Sequence, residues 1–157
     1  MSYRSIATGN YDSAGSNDVR CAIGYARAMT ESFGGDPDRV IAVGHSQGGF
    51  HALEVALEPV EEADGCLHDD GGKPEGVIGL GSPIRSLAGA DDTAPPMWLP
   101  SGSGDVDVED DAQRLRDRGY EAEAIVLPGV THEGITDALA TPEIVDLILE
   151  AIGTLGS

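Results

Sequence analysis

The spacing of apolar residues changes repeatedly along this chain, and segments rich in glycine, proline, asparagine and aspartate separate the changes. Between residues 19 and 33 apolar side chains recur every three or four positions, which predicts an amphipathic helix. Before this helix we expect a loop at residues 9–17, and we expect Asn17 or Asp18 to cap the first turn of the helix. The glycine pair at residues 34–35 is expected to end it.

Further along, short and almost wholly apolar runs alternate with helical segments, as is typical of strands buried on both faces of a parallel sheet. Helices of ten or more residues between such strands require right-handed crossovers. The predicted fold class is therefore α/β, a single domain over residues 1–157 with a doubly wound, mostly parallel sheet of about five strands. The predicted strands are residues 3–8, 39–44, 76–80, 97–99 and 121–127. The other predicted helices are residues 47–57, residues 108–118, and a last helix capped by Thr141, with Pro142 in its first turn, that ends near residues 152–153.

The charge balance limits the partners of this chain. It holds 9 Lys plus Arg against 28 Asp plus Glu, a formal net charge of −19. Nucleic acid and anionic membrane surfaces are poor partners, because phosphate binding requires clustered basic residues. No apolar run is long enough to span a membrane, and the first residues lack the apolar core of a signal peptide. The chain as written is therefore expected in the cytoplasm, while export of a longer parent protein stays open.

The acidic excess also bears on habitat. A surface crowded with carboxylates stays hydrated in concentrated salt, so we interpret the composition as halophilic. The alternative is an ordinary acidic protein from a mesophilic organism.

The sequence Gly44-His45-Ser46-Gln47-Gly48 lies between a predicted buried strand and a predicted helix. This context is typical of a nucleophile elbow, in which small flanking residues let strand and helix approach while the serine hydroxyl projects outward. Gly44 and Gly48 would supply that space. The backbone amide of Gln47 would lie at a helix start, where it can stabilise an oxyanion. The alternative is a glycine-rich turn with an incidental serine.

A serine nucleophile requires a base whose imidazole is oriented by a carboxylate. His132 follows the last predicted strand and Asp105 follows the strand before it, so both are expected at the carboxyl edge of the sheet. Asp107 is the rival to Asp105, which we favour because it comes directly after the glycine-rich residues 102–104. The residues Ser46, Asp105 and His132 thus form a candidate triad.

The other histidines fit this chemistry less well. His45 lies inside the elbow, His51 lies within the following helix, and His68 belongs to an acidic loop with Asp69 and Asp70. Those last three residues could form a surface metal site, but a solvated loop is the simpler interpretation, because no spacing of a closed site accompanies them. We therefore predict no metal and no organic cofactor.

Cys21 and Cys66 are the two cysteines of the chain. They could form one disulfide bond, which would suit an exported enzyme, or remain two independent buried thiols. Because the sequence does not fix their distance, both alternatives stay open.

Three segments of the chain together resemble a known group of enzymes. Residues 34–49, with the sequence GGDPDRVIAVGHSQGG, are similar to a GGDP turn followed by a buried strand and an elbow. Residues 102–105 resemble an acid loop, and residues 120–132 resemble a final strand with its histidine. In this combination the chain resembles the α/β-hydrolase superfamily, in its esterase/lipase and dienelactone-hydrolase-like branch.

The resemblance implies a serine hydrolase that cleaves small-molecule carboxylic esters through an acyl-enzyme. It implies Ser46 as nucleophile, His132 as general base and then acid, and Asp105 as the orienting carboxylate. The backbone amide of Gln47 would be one oxyanion donor.

Relative to that superfamily we expect the chain to be N-terminally incomplete, as a fragment, a late start or a natural truncation of a longer hydrolase. The second oxyanion donor comes there from a His-Gly-Gly type loop upstream of the strand that Tyr3 and Arg4 resemble, and this chain starts after it. One alternative function is therefore a catalytically incomplete hydrolase remnant that serves as a binding or assembly module. Another strand of the family is also missing, so either residues 3–8 lie beside residues 39–44, or the sheet edge stays open and pairs with another chain as a homo-oligomer.

Overall fold

The computed structural model describes residues 13–59, 65–68, 72–138 and 141–154 of the chain. The strand predicted at residues 3–8 lies outside these ranges. The strands are β1 (Ile41–His45), β2 (Gly76–Leu80), β3 (Met97–Gly102) and β4 (Ala122–Leu127). The helices are α1 (Ser13–Thr30), α2 (Gln47–Leu57), α3 (Val108–Arg116), α4 (Gly134–Ala138) and α5 (Pro142–Thr154), with a 3-10 turn at Glu31–Phe33.

The four described strands form one parallel sheet in the order β1-β2-β3-β4. At the carboxyl end of the sheet, His45 of β1 lies opposite Leu80 of β2, and Gly102 of β3 lies opposite Leu127 of β4. The predicted α/β class, with a parallel sheet and flanking helices, is confirmed. Because all strands run the same way, the segments that follow them meet along one edge.

Helices cover both faces of the sheet. On one face α2 and α3 share a core with β2 and β3 that includes Leu53, Leu99 and Leu115. On the other face Ile135 of α4 packs against Trp98 of β3. α1 lies against α2. None of the described helices is long and apolar enough to cross a membrane.

The start of α1 differs from the prediction. The helix already includes Asn17 and Asp18, so their role as caps and the loop predicted at residues 9–17 are wrong from residue 13 onward. The reason is a tertiary contact, because the hydroxyl of Ser16 donates a hydrogen bond of 2.8 Å to Glu54 of α2. This contact stabilises a turn whose polar composition by itself favours a loop.

Two further elements were incompletely predicted. β3 continues to Gly102, beyond the predicted end at residue 99, because it pairs with β4 as far as that residue. α4 was not predicted at all, since five residues are too few for a helical period to appear.

Cys21 of α1 and Cys66 are joined by a disulfide bond across a sequence separation of 45 residues. The first of the two alternatives for the cysteines therefore holds. The bond ties α1 to the segment that follows α2.

Candidate active site

The backbone at Ser46 is strained. Ser46 lies between the last residue of β1 and the first residue of α2 with φ 53° and ψ −120°, and it is the one non-glycine residue with a positive φ in the described ranges. Such conformations cost about 1 to 3 kcal/mol and persist where the surroundings enforce them. Gly44 is part of that enforcement, because a Cβ there would lie 2.4 Å from the backbone of Gly48 and Gly49. The predicted turn and helix are thus observed, whereas the strand covers Ile41–His45 instead of residues 39–44. The close approach of the backbone explains the glycine at position 44.

A continuous chain of polar contacts runs from the elbow to the two downstream candidates. Nε2 of His132 lies 2.9 Å from Oγ of Ser46, and Nδ1 of His132 lies 2.8 Å from Oδ2 of Asp105. An ionised carboxylate only accepts hydrogen bonds, so the arrangement requires the proton on Nδ1 and leaves Nε2 to accept from the serine hydroxyl. The structure therefore brings the three predicted residues together in the order that proton transfer from serine would need.

Glycines let the loops after the strands approach one another. A Cβ on Gly102, at the end of β3, would lie 2.0 Å from the carbonyl oxygen of Val130 in the loop after β4. A Cβ on Gly81, directly after β2, would lie 3.1 Å from both Asp105 Oδ2 and His132 Nδ1. Gly102 and Gly81 are therefore two positions at which a side chain would disturb the contact between Asp105 and His132.

Asp107, the rival acid, has a different partner. Its carboxylate accepts a hydrogen bond of 3.0 Å from the backbone nitrogen of Asp110 and caps the start of α3. Capping is a common role for aspartate at this position. The structure therefore places Asp105, and not Asp107, beside His132.

The amide of Gln47 lies at the start of α2. The first helical hydrogen bond described there runs from the backbone nitrogen of Phe50 to the carbonyl of Ser46, at 2.9 Å. The amides before it have no acceptor within the helix, so they present hydrogen-bond donors and the positive end of the helix dipole. Gln47 N–H thus lies next in sequence to Ser46, where an oxyanion would form on an attacked substrate.

Sequence reasoning missed Ser82, and it placed His45 in the elbow without the contact that His45 makes. The hydroxyl of Ser82 donates to the carbonyl of Ser46 at 3.0 Å. Nε2 of His45 lies 2.9 Å from the carbonyl oxygen of His132. Ser82 carried a weak signal, since it follows a predicted strand at the same sheet edge, whereas the contact of His45 is purely tertiary.

The remaining histidines lie in other surroundings. His51 is buried between α2 and α1, with Nδ1 3.1 Å from Glu54 and 3.3 Å from Ser16. His68 lies near Tyr25, and its predicted companions Asp69 and Asp70 fall outside the described residues. Within the described ranges no group of three or more His, Cys, Asp or Glu side chains is arranged to hold a metal ion.

Solved structures match this chain, whereas no sequence family and no curated protein sequence does. A truncated carbohydrate esterase from gut microbiota matches with a TM-score of 0.71 at 17% identity, over 98% of this chain and 73% of that one. A thermophilic esterase from the Planctomycetes species Thermogutta terrifontis matches with a TM-score of 0.74 at 19% identity, over 99% of this chain and 69% of that one. An α/β-hydrolase enzyme from a Medee basin deep-sea metagenome library matches with a TM-score of 0.65 at 16% identity, over 90% and 64%.

These matches show the architecture of the chain. The chain has the α/β-hydrolase fold. Ser46, His132 and Asp105 meet at the carboxyl edge of its sheet.

Proposed function

We propose that this protein is a serine hydrolase that cleaves small carboxylic esters through an acyl-enzyme. The observation that carries the proposal is the pair of contacts that joins Ser46 to His132 and His132 to Asp105, at 2.9 and 2.8 Å. Those lengths are suitable for proton transfer and for fixing the imidazole, respectively. The esterases among the structural matches are consistent with this chemistry.

In the first half of the reaction, Oγ of Ser46 attacks the ester carbonyl and its proton passes to Nε2 of His132. Asp105 holds the imidazole by its Nδ1 proton and stabilises the positive charge that develops. The amide of Gln47 donates to the oxyanion of the tetrahedral intermediate. The alcohol then leaves with the proton that Nε2 returns, and the acyl group remains on Ser46.

In the second half, water attacks the acyl-enzyme while Nε2 of His132 accepts its proton. The bond from the acyl carbon to Oγ then breaks as Nε2 returns the proton to Oγ, so the carboxylic acid leaves and the serine hydroxyl is restored. Every group in both halves is a side chain or amide of the chain itself, so we propose no metal and no organic cofactor.

The second candidate function is a binding or assembly module that lacks a complete oxyanion hole. It is favoured by β1, which lies at the end of the described sheet and has Val43 48% exposed on it. An apolar strand at the edge of a sheet can pair with another chain where no segment of its own chain covers it. Sedimentation equilibrium of the wild type beside Val43→Lys tests this idea, since a dimer built on this edge should dissociate in the variant.

The deciding experiment is hydrolysis of a short-chain activated ester in concentrated KCl by the wild type, Ser46→Ala and Ser32→Ala. Ser32 is an exposed serine in the 3-10 turn after α1 and serves as the matched control. We expect turnover to fall to the background rate in Ser46→Ala and to stay unchanged in Ser32→Ala. Equal hydrolysis by the wild type and a folded Ser46→Ala would contradict the proposal.

A covalent probe tests the nucleophile separately from turnover. A fluorophosphonate should add once to the wild type, and peptide mass spectrometry should locate the adduct on Ser46. Addition elsewhere, or none, argues for the second candidate function.

A further inference from the structure

We infer that His45 is a positioning residue, which holds His132 over Ser46 through a hydrogen bond to its backbone. The inference rests on the proposed function, because it assigns a role to a neighbour of the proposed base. It concerns a residue inside the elbow whose type the elbow itself does not require.

The geometry fixes the direction of the bond. Nε2 of His45 lies 2.9 Å from the carbonyl oxygen of His132. A carbonyl oxygen only accepts, so Nε2 of His45 carries the proton and donates it. The two imidazole rings also lie close, with centroids 4.9 Å apart and planes inclined by 41°. His45 thus contacts both the backbone and the ring of the residue whose Nε2 must reach Ser46.

The position of the two residues in the fold explains why a tether is needed. His45 ends β1 and directly precedes Ser46, whereas His132 follows β4 at the other end of the described sheet. Apart from the contacts of His132 with Ser46 and His45, the hydrogen bonds described for the loop after β4 reach neighbouring segments, as in the bond from Gly129 N to Ser103 Oγ at 3.2 Å. The bond from His45 joins this loop to the strand that carries the nucleophile. Ser46 and the backbone of His132 are thereby both held by the end of β1.

Small displacements at this contact have large effects on rate. A shift of about 1 Å in a reacting group can cost about 100-fold in turnover. Loss of the tether should therefore lower kcat about 10- to 100-fold while KM stays within about twofold, because His45 is placed to act on the base and not on the ester.

Two variants separate the hydrogen bond from the ring. His45→Phe keeps an aromatic ring without the N–H donor, and His45→Gln places an amide nitrogen near the position of Nε2. We expect His45→Phe to lose kcat and His45→Gln to recover most of it. His68→Phe, at a histidine beside Tyr25, is the matched control and should behave as the wild type. Wild-type kcat in His45→Phe, or a His45→Gln variant as slow as His45→Phe, would overturn the inference.

A readout that needs no turnover separates this inference from the proposed function. The Nδ1 proton of His132, held by Asp105, should give a low-field proton NMR signal that is absent from His132→Asn. The signal should be lost or broadened in His45→Phe and retained in His45→Gln. The inference is overturned if the signal survives in His45→Phe, or if the wild type shows no such signal. If the signal depends on His45 but wild type and Ser46→Ala hydrolyse esters equally, the positioning role stands and the proposed function fails.

Discussion

The disulfide bond between Cys21 and Cys66 provides a test of how the folded chain is held together. It closes a loop of chain with a sequence separation of 45 residues and ties α1 to the segment after α2. Reduction of the bond, or the double change Cys21→Ser with Cys66→Ser, removes this constraint on the conformations of the unfolded chain. Either change should leave the packing of the helices in the folded state unchanged. In the chain-entropy description, a loop of that length contributes about 4 kcal/mol at 25 °C. For a domain of this size, each kcal/mol corresponds to a change of about 2 to 4 °C in Tm, so Tm should fall by about 8 to 16 °C.

The assay is thermal unfolding followed by circular dichroism, with and without a phosphine reductant, after mass spectrometry has verified the oxidation state. The double serine variant should unfold at the temperature of the reduced wild type, and the reductant should not affect it. The entropic reasoning would be refuted if the bond is shown to be present in the wild type and its reduction changes Tm by less than about 3 °C. It would mean that strain in the folded state offsets the gain.

Four further outcomes are expected. Asp105→Asn should lower kcat by about 10⁴-fold, whereas Asp107→Asn, which keeps a good helix cap, should leave kinetics and Tm nearly unchanged; the reverse pattern in ester hydrolysis would reassign the acid. Gly44→Ala should destabilise the fold by about 1 to 3 kcal/mol or more in denaturant titrations, because its methyl group would meet backbone that cannot move aside; unchanged stability would contradict this. The hydrogen bond from Lys73 lowers the pKa of Asp91. Above the pKa that Asp91 has in the unfolded chain this hydrogen bond stabilises the fold, and the stabilisation is lost as pH falls through the lowered pKa. Because Lys73 is the main cause of the lowering, Lys73→Met should raise the pKa of Asp91 in a carbon-13 NMR titration, and an unmoved pKa would contradict the assignment. Tm should rise from low to multimolar KCl if the acidic surface is halophilic, and a flat profile would argue against that interpretation.

The elements that the sequence predicted best are those whose signals are local. The predicted helix at residues 47–57 matches α2, and the predicted strand at residues 76–80 matches β2, because continuous apolar runs and glycine punctuation define both. The start of α1 was wrong because a tertiary contact from Ser16 outweighs a loop-like composition.

The candidate site divides in the same way. The placement of Asp105 beside His132 followed from strand order and glycine spacing, which are properties of the sequence. The bond from His45 to the backbone of His132 joins residues 87 positions apart and involves a carbonyl that every residue has, so no pattern of side chains could indicate it.

The backbone of Ser46 is held on both sides by groups other than its own hydroxyl. Its amide donates to the carbonyl of Leu80 at 2.9 Å, and its carbonyl accepts from Ser82 and from the amide of Phe50. The backbone that positions the proposed nucleophile is therefore held independently of the oxygen atom proposed to react. A chain with alanine at this position should keep an undistorted site and trap an intact ester, so a crystal of that inert form soaked with candidate esters could identify the natural substrate directly.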